Sequence, residues 1–413
     1  MMTDFSLATA ATSFLPTARP PEVIPAIAAH ASPAAAVAAA AKLAPRLLAQ
    51  ATHTDEVGGF PDQEFTWLRE AGLLTAALPV ALGGAGLGES AATLALLQVL
   101  YHVGRGNLAV GRLFEGHVNA LLLLRRFGTA AQQAEFAADA RDGHVFGVWN
   151  TENPAKGVRL EALAGGRYRL HGAKTFASGA GHITRPVLTG ALPKSQGWQM
   201  LVLPADDQRP VLDRSFWRPL GMRATASFIA SVERLEIGPS CLLGRPNDYY
   251  QQPWFGGGAA RFAAVQLGGA AAVLDETRRF LRQLGRTDDP YQRQRLGEML
   301  LMHETGQLWL QGAAAHAVLP AEPSTAALPP PTDAITTYAN LMRAATEDIC
   351  LRTLQLAERS VGARGLLQPE PFERLHRDLT HYLRQPAPDA TLADGGRFAL
   401  GSDKPSFELW PHQ

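Results

Sequence analysis

Between about Val145 and Gly181 the chain changes its hydrophobic period, and that change limits what it can fold into. Residues 146–149, Phe-Gly-Val-Trp, form a short apolar run. The polar cluster Asn150, Thr151, Glu152, Asn153 and Pro154 follows at once and cannot continue a buried strand. From Arg159 the chain alternates loosely, turns at Gly165-Gly166, and returns through Tyr168, Leu170, Gly172 and Lys174 with the period of two that a half-buried antiparallel strand requires. A meander is expected, with Thr151 and Ser178 at its ends. Gln199 to Leu203 and Phe228 to Leu235 read as further strands, with Pro204, Pro210, Pro219 and Pro239 in the connections.

Helical patterns flank this segment on both sides. Pro33 can open a helix at its first turn, and the alanine-rich run to Ala51 has high intrinsic helix propensity. Apolar residues recur at three and four over Asp62–Ala71, Ala91–Gly104 and Gly111–Phe127. Gly83-Gly84-Ala85-Gly86-Leu87-Gly88 lies between helical segments rather than after a strand, so it reads as a turn and not as a phosphate loop. From Gln251 onward Leu267, Leu274 and Leu281 are spaced by seven, as are Ile335, Met342, Ile349 and Leu356, which suits an antiparallel bundle of long helices. The proline-rich stretch Leu319–Pro331 must be a loop joining two of them. The fold expected is therefore α+β: a tail over 1–32, a helical domain over 33–142, a β domain over 143–245, a four-helix bundle over 246–392 and a C-terminal tail over 393–413.

The formal net charge is zero, which gives no reason to expect nucleic acid or an anionic membrane as the main partner. No apolar run approaches the roughly 20 residues that span a bilayer. Residues 1–32 carry Asp4 where a secretory leader would carry basic residues, so a cytoplasmic protein is expected. Cys241 and Cys350 lie far apart with no metal-binding spacing, and both read as free thiols with no metal site.

The order Thr151-Glu152-Asn153-Pro154, then Gly172-Ala173-Lys174-Thr175-Phe176-Ala177-Ser178-Gly179, resembles the middle domain of the acyl-CoA dehydrogenase superfamily. Trp217-Arg218-Pro219-Leu220-Gly221-Met222-Arg223-Ala224-Thr225 is similar to that family's G-M-R-x-(T/S) segment, and Val361-Gly362-Ala363-Arg364-Gly365-Leu366 to its G-G-x-G-(F/L) segment. The resemblance covers roughly residues 55–390. It implies the three-domain fold, a flavin cofactor, FAD before FMN, and assembly as a homodimer or homotetramer. It also implies an acyl-CoA or other acyl-thioester-like small-molecule substrate, with an electron-transfer flavoprotein or a flavin reductase as redox partner.

A flavin ring needs a flat apolar wall and hydrogen-bond donors toward its polar edge. On the resemblance, Trp149 and Phe176 offer walls and Thr151 and Ser178 offer hydroxyls. Arg286 corresponds to an arginine that reaches the cofactor pyrophosphate of a neighbouring subunit, a task for which a guanidinium's bidentate donation is suited. Arg359 stands where the family has glutamine, and Gly362 matches a glycine that lets the backbone approach the adenine half. The acidic Asp288-Asp289 follows Arg286 where the family continues R-K-x-F-G.

Acyl-CoA dehydrogenation needs a carboxylate to take the α-proton. The family places a glutamate either after an R-D helix or just before the arginine of the first C-terminal helix. Here the first position falls in Arg377-Asp378-Leu379-Thr380-His381-Tyr382-Leu383-Arg384-Gln385-Pro386 and the second is Ala260, and neither holds glutamate. Three readings follow. A dehydrogenase would recruit its base elsewhere, from Glu152 or Asp389. A flavin monooxygenase, whose C-terminal R-x-x-x-H-x-x-H-D-P pattern the 377–386 segment partly resembles, would use His381 and Arg384 near the ring. A non-catalytic relative would keep the scaffold alone.

Overall fold

A computed structural model describes residues 32–254, 256–318, 332–384 and 388–410. The expected tail, apart from Ser32, and the expected loop 319–331 lie outside the described residues. Ser32 caps the first helix, α1 (Pro33–Val57), its side chain accepting from the Ala35 amide at 3.3 Å. The face of α1 through Ala36, Ala40, Leu43, Leu47 and Ala51 is buried at helical spacing. There follow α2 (Asp62–Glu70), α3 (Thr93–Gly106), α4 (Leu108–Phe127) and α5 (Ala130–Arg141), the last of which the periodicity does not announce. The glycine run 83–88 is a turn between helices, as its context required: Gly83 and Gly86 are left-handed, and a Cβ on Gly84 would stand 2.1 Å from the Leu78 carbonyl oxygen.

The β domain holds two sheets. In the larger, strands run in the order β10 (Leu242–Leu243), β6 (Trp198–Val202), β5 (Arg185–Ala191), β2 (Arg159–Ala162), β3 (Tyr168–His171), β9 (Glu236–Ile237), and β1 (Phe146–Trp149) pairs parallel to β5. The smaller sheet orders β4 (Ala173–Ala177), β8 (Phe228–Ser231) and β7 (Val211–Asp213). The expected return strand through Lys174 is thus two strands: Gly172, left-handed at φ 95°, turns the chain from one sheet into the other. That break cannot be read from alternation, since residues on both sides of it keep the period of two.

The last layer is a bundle of α6 (Ala259–Gln283), α7 (Pro290–His316), α8 (Thr332–Gly365) and α9 (Pro371–Tyr382). Gln266 of α6 donates to the Tyr382 carbonyl of α9 at 3.0 Å while Arg279 pairs with Glu370 at 2.9 Å, so the two helices run antiparallel. Both heptad stripes, Leu267 to Leu281 and Ile335 to Leu356, are buried. α6 is long and apolar enough to cross a membrane, but 89% of its apolar window is buried inside the protein, as in a core helix. Its approach to α3 is close: a Cβ on Gly268 would lie 2.1 Å from the Tyr101 carbonyl oxygen. The segment expected to trail as a tail from 393 is instead helical, in α10 (Pro388–Leu400) and α11 (Ser406–Leu409), and Trp410 anchors it by donating to the Ala334 carbonyl at 3.2 Å. The sparse polar sequence of this stretch gave no period, and packing on α8 supplies the order.

His117 on α4 joins the helical and β domains. It is fully buried, with Nε2–H donating to the Leu74 carbonyl at 2.6 Å and Nδ1 accepting from the Phe146 amide at 3.0 Å. Burial pushes its pKa down to about 4. A histidine depressed in the folded state contributes stability above its unfolded value, and that contribution is lost as pH falls from about 6.5 toward 4. The expected loss across that window is about 3 kcal/mol. Denaturant melts at pH 7 and pH 4.5 check this, and His117→Gln should remove that part of the acid sensitivity while lowering stability at pH 7.

A candidate flavin site beside a buried arginine

The loop after β1 is fixed to β4 by charge. Lys174, fully buried, pairs with Glu152 and contacts the Thr189 hydroxyl at 3.3 Å, and the second Glu152 oxygen accepts from the Val158 amide at 2.8 Å. Glu152 is therefore occupied in holding the loop and is not a base facing a substrate. Beside it, the Thr175 amide donates to the Thr151 carbonyl at 2.9 Å, which sets the exposed Thr151 next to the following residue, Phe176.

Phe176 is half exposed while its β4 neighbours Lys174, Thr175 and Ala177 are buried. A register irregularity between Lys174 and Ala177 and a left-handed φ of 49° turn its ring out of the sheet. That conformation is costly for a bulky residue and is typical of functional positions. Phe216 and Trp217 meet the Phe176 ring edge-on, with centroids at 5.1 and 6.2 Å, and His381 at the end of α9 meets Trp217 edge-on at 5.7 Å. Burial pushes the His381 pKa down, so its imidazole is neutral near pH 7.

Ser178 completes this surface. Its hydroxyl lies 2.9 Å from that of Ser227, which lies 2.8 Å from Thr225, and Thr225 donates to the Met222 carbonyl at 3.0 Å. Trp149 plays another part than the one expected. It is 1% exposed and its indole N–H donates to the Ser178 carbonyl at 2.9 Å, so it fastens the two loops together from beneath and offers no open wall. The 217–225 segment is docked onto α9: the Met222 amide donates to buried Asp378 at 2.6 Å, Arg377 donates to the Leu220 carbonyl at 3.1 Å, and a Cβ on Gly221 would stand 2.3 Å from the Arg377 carbonyl oxygen.

Thr151, Phe176, Ser178 and His381 thus gather at one surface, Phe216 and Trp217 join them, and the buried Ser227 hydroxyl backs that of Ser178. An aromatic cluster beside the Ser178 hydroxyl offers an isoalloxazine ring an apolar face and a partner for its polar edge. The other expected residues are engaged differently. From Gln266, level with Tyr382, to the end of α6 at Gln283 is about 25 Å at 1.5 Å per residue, and Arg286 lies beyond that end, paired with Asp289 at 3.0 Å. Arg359 is exposed on α8, where its carbonyl accepts from Arg295 of α7 at 3.0 Å. Gly362 breaks the helix at φ 62° and faces open space. Arg384 is exposed and pairs with Glu347 at 3.4 Å, and Asp389 is exposed in the first turn of α10.

A buried polar chain that the sequence reading missed lies on the α4 side. Arg112 donates to Glu115 at 2.6 Å, Asn119 donates to the other Glu115 oxygen, and Arg261 of α6 donates from Nε to the Asn119 carbonyl oxygen. Glu115 is 3% and Arg261 8% exposed. Its sequence signal was present, since residues 112, 115 and 119 fall on one face of a helix. Ala260, at one of the two positions where the family places its base, is buried, and the Glu115 carboxylate has both oxygens engaged.

Comparison with known proteins agrees with this geometry. The acyl-CoA dehydrogenase N-terminal domain family matches residues 33–144, and the acyl-CoA dehydrogenase C-terminal domain family matches residues 260–383. The chain is 26% identical over 403 residues to dibenzothiophene monooxygenase of Rhodococcus erythropolis, covering 89% of this chain and 94% of that protein. It is also 26% identical to SfnC of Pseudomonas putida, a probable FMNH2-dependent monooxygenase, covering 91% and 97%. The crystal structure of FMN-bound TdsC from Paenibacillus sp. A11-2 superposes with a TM-score of 0.80 at 21% identity, over 91% of this chain and 99% of that one. Expected from three motifs and found in the helix–sheet–helix layers, the relationship is plain: the chain belongs to the acyl-CoA dehydrogenase family of flavin enzymes.

Proposed function

We propose that the chain is a flavin-dependent monooxygenase, receiving reduced flavin from a partner reductase and using oxygen on a small organic substrate. The observation that carries this reading is chemical. Among the described residues, no unengaged carboxylate is found at either position where the family places its base, and the titratable group beside the aromatic wall is the neutral imidazole of His381. Reduced flavin, when bound, would supply the electrons for oxygen activation. Phe176, Phe216 and Trp217 would hold the ring, the Ser178 hydroxyl, backed by Ser227, would bond its polar edge, and His381 would hold or release a proton at its imidazole nitrogens. The similarity to two monooxygenases supports the same reading.

The ring-side residues would suffice for FMN. Arg286 would serve an FAD only as a contribution to a second copy's site, because it lies beyond the far end of α6, and Arg359 and Gly362 are the remaining candidates for the adenine half. The exposed Leu300, Leu301 and Leu308 of α7 favour association of copies. Dehydrogenation of an acyl-CoA is the second reading, and family membership favours it. Anaerobic titration tests the first against it: reduced flavin should bind more tightly than oxidised flavin, and no acyl-CoA should bleach the oxidised complex. Bleaching would establish the dehydrogenase, and failure to bind flavin in either state would leave a scaffold without redox chemistry.

A further inference from the structure

Four polar side chains between α4 and α6 leave one buried positive charge without a counter-ion. Arg112 is matched by Glu115, whose two oxygens are both taken, one by Arg112 and one by Asn119. Arg261 donates through Nε to the neutral amide of Asn119, and neither of its terminal nitrogens is paired with a carboxylate among the described residues. The flanking phenols do not supply the missing charge. Burial, first of all, pushes the pKa of Tyr249 and of Tyr382 well above the ordinary phenol range, so both are neutral. The same burial holds Arg261 below the usual arginine value, with Glu115 and Tyr249 only partly offsetting it. A guanidinium that is 8% exposed is strongly disfavoured without an anion.

The place of this charge gives it a meaning. Arg261 directly follows Ala260, Tyr249 hydrogen-bonds to Asn150 in the loop that carries Thr151, and Tyr382 directly follows His381. The charge therefore stands beside the candidate flavin surface. A guanidinium whose terminal nitrogens face no carboxylate presents a fork that donates bidentately to two oxygens of an oxyanion.

Deepening the reading proposed above, we infer that the substrate carries an organic oxyanion, a carboxylate or a sulfonate, that binds the two terminal nitrogens of Arg261. Asn119 fixes the plane of the fork from behind, Glu115 holds Asn119, and Arg112 neutralises Glu115 so that it does not compete for Arg261. Asn119 and Glu115 are thus positioning residues. With the anion anchored at the start of α6, the apolar remainder of the substrate extends from there toward the flavin held by Phe176 and Trp217.

The test uses the flavin-free full chain, so that it stands apart from the redox chemistry. Thermal unfolding is followed at constant ionic strength with benzoate, benzenesulfonate and benzamide, and with acetate against acetamide to remove dependence on ring size. The acids should raise the midpoint of the wild type and the amides should not, and the ratio of benzoate to benzenesulfonate affinity assigns the head group. Arg261→Met should weaken acid binding about ten- to hundredfold. In the absence of ligand it should melt at or above the wild type, because it replaces an unpaired buried charge with an apolar chain of similar length. Arg261→Lys, which keeps the charge and loses the fork, should fall between. Amides binding as well as acids, an undiminished response in Arg261→Met, or no response of the wild type to any acid would each overturn the inference. Flavin binding is measured on the same samples: flavin without acid binding removes only the anion site, and acid without flavin binding removes only the monooxygenase reading.

Discussion

Glu152→Gln is expected to cost about 3–5 kcal/mol of folding stability at pH 7, the range found when one partner of a buried ion pair is removed. The reason is Lys174, whose side chain is fully buried and whose ammonium has, among the described residues, Glu152 as its one carboxylate partner. Burial already pulls the Lys174 pKa down, and Glu152 partly restores it. Without the carboxylate the ammonium is left with the Thr189 hydroxyl and the distant Trp198 ring, neither of which neutralises it. The pH dependence follows in sign. A lysine whose folded pKa lies below its unfolded value destabilises the fold wherever the unfolded chain binds the extra proton, so stability rises with pH toward 10.5. The deficit of the variant should therefore shrink between pH 7 and pH 10. Lys174→Met in the same chain should recover most of it, since it removes the buried charge that Glu152→Gln leaves uncompensated. Denaturant unfolding across pH measures both, and a loss below 1 kcal/mol that does not vary with pH would contradict the account.

His381→Asn is expected to lower oxygen-coupled turnover by about 10²-fold or more, the scale of a positioned proton-transfer group. Flavin affinity should change little, because His381 meets the flavin surface through Trp217 and leaves the Phe176 wall in place. Because burial lowers its pKa, the wild-type rate should hold its plateau to below pH 6.5 and then fall as the imidazole protonates. The asparagine variant should lose that limb. Arg384→Ala is the contrast. Its side chain is exposed and paired with Glu347, so the rate should change less than about twofold. Equal effects of the two substitutions, or an unchanged pH profile in His381→Asn, would remove His381 from the proton path.

The layers of the fold were legible because hydrophobic period changes twice along the chain, and Leu267, Ile335 and the other stripe residues are buried as their spacing required. The switch of sheet at Gly172 was not, because alternation continues across it while φ changes sign. Within the site, Phe176 and Ser178 could be placed by local motif. Trp149 was misassigned because a motif gives the neighbourhood of a ring but not the side of the sheet on which it is buried. Phe216 and Trp217 reach the same surface from a segment some forty residues later, through the docking of Gly221 and Met222 onto α9, and Ser227 backs Ser178 from beneath. No local signal carries that contact. The buried chain from Arg112 to Arg261 spans two helices far apart in sequence. Its α4 half was readable as a polar stripe, and its pairing with Arg261 required the tertiary structure.

Mixing the anaerobic complex of this protein and reduced flavin with oxygenated buffer, and following the flavin absorbance together with hydrogen peroxide, tests the central claim most directly. A monooxygenase should show a transient unlike either the reduced or the oxidised flavin, and should release peroxide more slowly than free reduced flavin does. Direct return to oxidised flavin with stoichiometric peroxide, in a protein whose oxidised flavin is bleached by an acyl-CoA, would contradict it.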